Sequence, residues 1–278
     1  MARLEGKVAF ITGAARGQGR AHARRLAADG ADIIAVDIDD RCRVGSVPYP
    51  LATAADMAET VRQVESVGRR IVHGCADVRD IAAMGAVVDK GVAELGRLDI
   101  VVANAGISSP APTLEMDVET WQEMIDINLT GVWKSIKVSV PHVISGGRGG
   151  SVVIISSGAT ERPFERLGHY SAAKAGLVAL MRVLAKELGA QGIRVNTVHP
   201  GTVLTPMVLN DPTYRAFRPD LAEPGREDFE EAARSITALP MGPLEAEDIA
   251  NAVAYLVSDE ARGVTGTRHL IDVGVALQ

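Results

Sequence analysis

The chain is poor in the residues that would mark a disulfide scaffold, a metal site or a membrane protein. It has 2 cysteines, Cys42 and Cys75, at no metal-ligand spacing. That argues against a disulfide framework, so reduced thiols and no metal are expected. The histidines at 22, 73, 142, 169, 199 and 269 form no H-x-x-x-H or H-E-x-x-H pattern. No apolar run reaches membrane-spanning length, and the opening MARLEGKVAFITG lacks the apolar segment of a signal peptide. The expectation is a cytoplasmic chain that engages no membrane. Charge is not segregated either: the net charge is −6 with acids and bases interspersed, which argues against nucleic acid or another polyanion as partner. Nor is there a linker, repeat or low-complexity tract, so residues 1–278 are expected to form a single domain.

What the chain has is apolar residues, 47% of 278, enough for a substantial core. Short β-branched runs alternate with helix-like segments along its length. Strands are expected at 7–12, 32–36, 70–75, 99–103, 151–156, 194–198 and 269–271, and helices at 19–29, 57–67, 81–95, 118–144, 169–190 and 246–258. Strands apolar on both faces, joined by crossover helices, imply an α/β fold with a doubly wound parallel sheet of Rossmann type, helices covering both faces. Two segments break the rhythm. One is an insertion at 38–56 after the second strand; the other, 203–243, holds six prolines and reads as a mobile substrate lid.

The first strand runs into TGAARGQG, residues 12–19. Gly13, Gly17 and Gly19 allow a tight turn and a close approach to a pyrophosphate, whose charge the next helix's free N–H groups would meet. The second strand leads to Asp37. A carboxylate there accepts hydrogen bonds from ribose hydroxyls and repels a 2′-phosphate, favouring NAD over NADP. Arg16 pulls the other way, and Asp37 is weighed more heavily.

A second constellation lies in SSGATERPFERLGHYSAAK, residues 156–174. Tyr170 and Lys174 are four apart at a helix start, hence on one face. Ser157 sits thirteen residues before Tyr170, at the end of a strand. An ammonium beside a phenol lowers its pKa, which would bring acid–base work by Tyr170 toward neutral pH. Ser156 is the alternative serine. His169 reads as a solvated residue at the helix start.

With these residues assembled, the chain resembles the short-chain dehydrogenase/reductase family over nearly its full length. The motifs are TGAARGQG, Asp77-Val78, Asn104-Ala105-Gly106, Asn128, Ser157, YSAAK and HPGTVLT at 199–205. The resemblance implies that Tyr170 is the acid–base residue and that Ser157 hydrogen-bonds the substrate oxygen. Lys174 would bind the nicotinamide ribose and lower the Tyr170 pKa, and Asn128 would anchor a water in a proton relay, although it could instead only bridge backbone. Gln18 of the glycine loop would join the cofactor site, with Asp77 and Val78 bordering the adenine. Asn104, Ala105 and Gly106 would line the cleft beside Pro200 and Gly201, and Val203 and Thr205 would contact the carboxamide.

The stretch DIDDRCRVGSVPYPLATAADMAETVRQVE, with GQG, is similar to the carveol-dehydrogenase-like, mycofactocin-associated branch of that family. That resemblance implies tightly held NAD and an external electron acceptor. The insertion would then cover the adenosine end; the alternative is an ordinary surface loop. Met207, Tyr214, Phe217 and Phe229 give the lid apolar surface, suited to a hydrophobic alcohol or to packing alone. Leu177, Leu180, Met181, Val183 and Leu184 occupy more than one helix face, so an oligomer is expected, and the resemblance implies a homotetramer. Two other functions stay open: an NAD-exchanging enzyme for a sugar, steroid or acyl substrate, and a non-catalytic NAD-binding sensor.

Overall fold

The computed structural model describes residues 3–39 and 41–278; Asp40, inside the expected insertion, lies outside the described residues. Seven strands form one sheet: β1 (Val8–Thr12), β2 (Asp32–Asp37), β3 (Ile71–Cys75), β4 (Ile100–Ala103), β5 (Gly150–Ile155), β6 (Ile193–Pro200) and β7 (Arg268–Ile271). Their order is β3-β2-β1-β4-β5-β6-β7, with every neighbouring pair parallel. The chain direction of the winding reverses between β1 and β4. Loops leaving the carboxyl ends of these two strands therefore diverge and open a crevice, where open α/β sheets bind ligands.

Alternation along each strand builds two cores. Val8 and Phe10 of β1, Ile34 and Val36 of β2, and Val101 of β4 point to one face; Ala9, Ile11, Ile33, Ala35 and Val102 point to the other. Each fully buried large side chain here contributes roughly 1.5–3 kcal/mol, so a one-residue slip in register would be strongly opposed.

The helices are α1 (Gly17–Ala28), α2 (Ala54–Ser66), α3 (Ile81–Leu95), α4 (Val118–Ile125), α5 (Val132–Gly146), α6 (Gly168–Leu188), α7 (Asp211–Phe217), α8 (Arg226–Ser235) and α9 (Ala246–Val257). Local chemistry sets their ends. Asp80 caps α3 by accepting from the Ala82 and Ala83 N–H groups, and Gly96 ends it at φ 85°. Thr53 and Asp56 form a reciprocal capping box that starts α2 earlier than expected.

Two expectations need correction. The helix expected to run unbroken over 118–144 contains a π-helical turn, Asp126–Gly131, between α4 and α5. The proline-rich segment 203–243 holds two helices, since Asn210 caps α7 with Pro212 in its first turn, where a missing N–H costs nothing. A parallel bridge, Val203 to Leu244, ties the two ends of that segment together. No helix among the described residues is long and apolar enough to cross a membrane.

Candidate active site

One cleft of about 780 Å³ runs along the carboxyl edge of the sheet. Its floor begins at the glycine loop. Gly13 has φ 66°, and a Cβ there would come within 2.9 Å of Asn104 Nδ2 and the Ala105 Cα. A Cβ on Gly19 would overlap the Gly13 carbonyl. The loop after β4 is knitted to this turn by Thr12 Oγ1, which accepts from the Asn104 and Ala105 N–H groups at 3.1 and 3.0 Å. Arg16, extended at the start of α1, offers no side-chain cap, so no side chain of its own covers the helix's first N–H groups. Gln18 Oε1 is buried without a partner beside them. Bare N–H groups, glycines that admit close approach and an orphaned amide oxygen fit a dinucleotide's pyrophosphate.

At one end of the cleft stands Asp37. Its carboxylate accepts from the Ala15 and Ile38 N–H groups, both at 2.8 Å. Burial pushes its pKa up, partly offset by those two bonds and by Arg16. The insertion forms a wall here: Val44, Tyr49, Leu51 and Ala52 line the cleft. Four contacts fasten it. Tyr49 Oη accepts from the Ser108 N–H at 3.0 Å, Glu123 from the Ser46 N–H at 2.9 Å, and the Arg79 guanidinium donates to the Arg43 carbonyl at 2.8 Å. The Arg16 guanidinium donates to the Pro50 carbonyl. Asp77 and Val78 border the same end, with the Asp77 carboxylate gripped by Arg79 at 2.7 Å.

At the other end, Ser157, Tyr170 and Lys174 come together from the loop after β5 and the first turns of α6. Lys174 Nζ donates to the Ile155 carbonyl at 2.9 Å and lies 5.7 Å from the Tyr170 ring centroid. Burial pushes the Lys174 ammonium down to about 8. Burial also pushes the Tyr170 phenol up, opposed by the Ser157 hydroxyl. In this geometry desolvation of both groups outweighs any lowering of the phenol's pKa by Lys174. The Ser156 hydroxyl is committed to the Lys174 carbonyl at 3.0 Å, which leaves Ser157 as the serine beside the phenol.

The profile of the enoyl-(acyl carrier protein) reductase family matches residues 13–276. The chain is 52% identical to (−)-trans-carveol dehydrogenase of Rhodococcus erythropolis over 280 aligned residues, covering all of both chains. It belongs to the short-chain dehydrogenase/reductase family. Among solved structures, carveol dehydrogenase of Mycobacterium avium in complex with NAD superposes with a TM-score of 0.97 at 51% identity, over the whole of both chains. A short chain dehydrogenase of Mycobacterium paratuberculosis bound to NAD gives 0.90 at 46%, covering 99% of this chain and 100% of the other.

In this short-chain dehydrogenase/reductase the cleft gathers all the expected cofactor positions: Gly13, Arg16, Gly17, Gln18 and Gly19; Asp37, Asp77 and Val78; Asn104, Ala105 and Gly106; Pro200, Gly201, Val203 and Thr205. Asn128 lies behind it. The Asn128 amide both donates to the Ile107 carbonyl and accepts from the Ile107 N–H, each at 2.8 Å, so it does bridge backbone. It remains close to Lys174, since a Cβ on Gly106 would lie 3.1 Å from Asn128 Oδ1 and 3.4 Å from Lys174 Nζ. Sequence reasoning missed Tyr49 and His199. Tyr49 is buried and its phenol pushed up to about 12; the apolar residues flanking it in the insertion were the available signal. The His199 ring lies 3.0 Å from the Ser157 carbonyl and 2.8 Å from Thr160 Oγ1, buttressing the serine's main chain. His169 is not solvated: it is fully buried, with Nε2 3.5 Å from Ser109 Oγ. In the lid, Met207 and Phe217 face the cleft, whereas Phe229 is fully buried and stacks edge-on with Phe217 at 4.9 Å.

Proposed function

We propose that this chain is an NAD-dependent oxidoreductase that interconverts a hydrophobic secondary alcohol and its ketone. The observation that carries the reading is the single cleft: Asp37 and the glycine loop at one end, Ser157, Tyr170 and Lys174 at the other. Bound NAD would supply the hydride acceptor. Ser157 Oγ and Tyr170 Oη would hold the carbinol oxygen between them. With its pKa raised by burial, Tyr170 rests protonated, poised to donate to the oxygen during ketone reduction; alcohol oxidation requires it first to lose that proton. Lys174, near its titration point and 5.7 Å from the Tyr170 ring centroid, would be the group that passes it on. Because the Asn128 side chain is engaged with Ile107, a water anchored at that residue would be held by its main-chain carbonyl in the π-helical turn.

Two features support a tightly held cofactor: the four contacts that fasten the insertion, and the apolar side chains it presents to the adenosine end. An external electron acceptor, as for the mycofactocin-associated branch, would then reoxidise NAD in place. A carveol-like cyclic alcohol suits the apolar lid face of Met207 and Phe217. Val118, Trp121 and Trp133 on α4 and α5 and Val183 on α6 leave apolar surface exposed, which supports a homotetramer, working in the cytoplasm. The first test is to denature extensively dialysed protein and quantify released NAD. About one per chain is expected; none would favour the exchanging dehydrogenase. Tyr170→Phe should lose turnover by roughly 10²-fold or more while still releasing NAD. Full turnover by that variant would refute the assignment of the acid–base residue.

A further inference from the structure

Cys42 and Cys75 are the chain's two cysteines, and they stand 33 positions apart. They nonetheless meet: their sulfurs and the Asp39 carboxylate all lie within 4.8 Å of one another. Sheet register explains half of this. Cys75 is the last residue of the edge strand β3 and pairs with Asp37, the residue at the adenosine end of the cleft. A tight turn explains the rest, since the Cys42 N–H donates to the Asp39 carbonyl at 2.9 Å and brings the insertion back over the strand end. Cys75 is exposed and Cys42 half-buried, and both are free thiols. The third group in the cluster is not available as a metal ligand, because Arg41 grips the Asp39 carboxylate with bonds of 2.6 to 3.0 Å. Two sulfurs remain.

From this geometry we propose that Cys42 and Cys75 are a thiol-oxidation site which closes to an intramolecular disulfide and locks the 38–56 segment over the bound nucleotide. A disulfide needs sulfurs about 2.05 Å apart, so closure calls for a movement of at most about 3 Å in a surface turn. The oxidant is a hydroperoxide. Exposed Cys75, as thiolate, attacks the peroxide's outer oxygen; the O–O bond breaks, the sulfur becomes a sulfenic acid, and the departing oxygen takes up a proton to leave as water or an alcohol. Cys42 then attacks the sulfenyl sulfur and expels hydroxide, which leaves as water. Two thiols are oxidised by two electrons in all, and one peroxide is reduced. Burial and then the Asp39 carboxylate push the Cys75 thiol up, with the Arg41 guanidinium beside it opposing them, so the attacking thiolate is the minor form and its share grows as pH rises.

The consequence follows from where the bridge would lie. Tyr49 and its neighbours form the wall at the adenosine end, and in this proposal the nucleotide would leave there when that wall lifts. The reduced segment is held by hydrogen bonds and by the packing of Val44, Val47 and Ala52 against the two cores; the oxidised one would in addition be covalently tied to β3. This lock rests on the reading that the cleft holds NAD.

The test uses the full-length protein with NAD bound, treated with hydrogen peroxide and then, in a second aliquot, with a dithiol reductant. Intact mass should fall by about 2 Da, the loss of two hydrogens, with one cross-linked peptide containing Cys42 and Cys75. NAD dissociation, followed with an enzymatic trap, should slow at least roughly tenfold on oxidation, as expected when the cheapest local opening is closed, and recover on reduction. Cys42→Ser and Cys75→Ser should turn over like the parent without oxidant and show no oxidant-dependent slowing. Oxygen addition to one cysteine without a cross-link, or bridges between chains, would overturn the proposal. A cross-link with an unchanged dissociation rate would overturn the lock. If the cross-link forms but no NAD is held in either state, the cofactor reading fails and the lock with it, while the peptide map still reports the bridge.

Discussion

Lys174 gives the most quantitative test of this site. Its ammonium is 4% exposed, and burial lowers its pKa from 10.5 to about 8. The sign follows from proton counting. Between those two values the unfolded chain binds more protons than the folded one, so stability rises with pH across that window; below it the folded chain carries the full penalty of a buried charge. The change from 10.5 to about 8 corresponds to about 3 kcal/mol. Lys174→Met removes this penalty and also the hydrogen bond to the Ile155 carbonyl, which contributes about 1 kcal/mol. At about pH 7 the variant should therefore be more stable by about 2 kcal/mol; above about pH 10 the order should reverse, with the variant behind by about 1 kcal/mol. Urea unfolding of the nucleotide-free chain at both pH values, read by circular dichroism at fixed protein concentration, measures the difference directly. Parallel pH profiles for the two proteins would refute the buried-ammonium account. The variant's turnover should collapse at every pH, which separates the residue's cost to folding from its use in the cleft.

Asp37→Asn should raise the affinity for NADP relative to NAD by roughly 10–100-fold, the scale of about 1.5–3 kcal/mol for one charged contact. In the parent, discrimination against NADP should be complete above the Asp37 pKa and fade as pH falls through it, at a higher pH than for an ordinary carboxyl; a flat ratio would contradict this. Gly19→Ala should fold but lose NAD affinity, measured by calorimetry, because its Cβ displaces the Gly13 carbonyl. Phe229→Ala removes the buried anchor of the lid's aromatic cluster, a change of about 3–5 kcal/mol. It should raise KM for the alcohol far more than it changes NAD binding.

The parallel sheet and most of its helices were legible because their signals are local. Asp80 and Gly96 bracket α3 at its observed ends, and the central strands β1, β2, β4 and β5 alternate between two apolar faces. The π-helical turn at Asp126–Gly131 was not legible, since one extra residue in a turn barely disturbs a helical apolar pattern. In 203–243 the prolines concealed α7 and α8, although Pro212 in fact sits where a helix tolerates it. The positions that line the cleft were picked out by motif order. Their protonation was not, because desolvation of Tyr170 and Lys174 depends on everything packed around them. Tyr49, His199 and the meeting of Cys42 with Cys75 depend on contacts between distant segments, which spacing alone does not encode.

The bridge between Val203 and Leu244 has an evolutionary meaning. The Leu244 N–H donates to the Thr202 carbonyl and the Leu204 N–H to the Leu244 carbonyl, both at 2.8 Å, so some forty residues leave and rejoin the domain side by side, with one further tie from the Ala238 and Leu239 N–H groups to the Val273 carbonyl. Whatever lies between those ends can lengthen, shorten or exchange its side chains without disturbing the register of the sheet or the acid–base group. Such a segment behaves as a cassette. Relatives could diverge in the alcohol they accept by rewriting it alone, and a graft of another relative's segment between Thr205 and Leu244, with Thr205 kept, should carry substrate preference with it while nucleotide binding stays put.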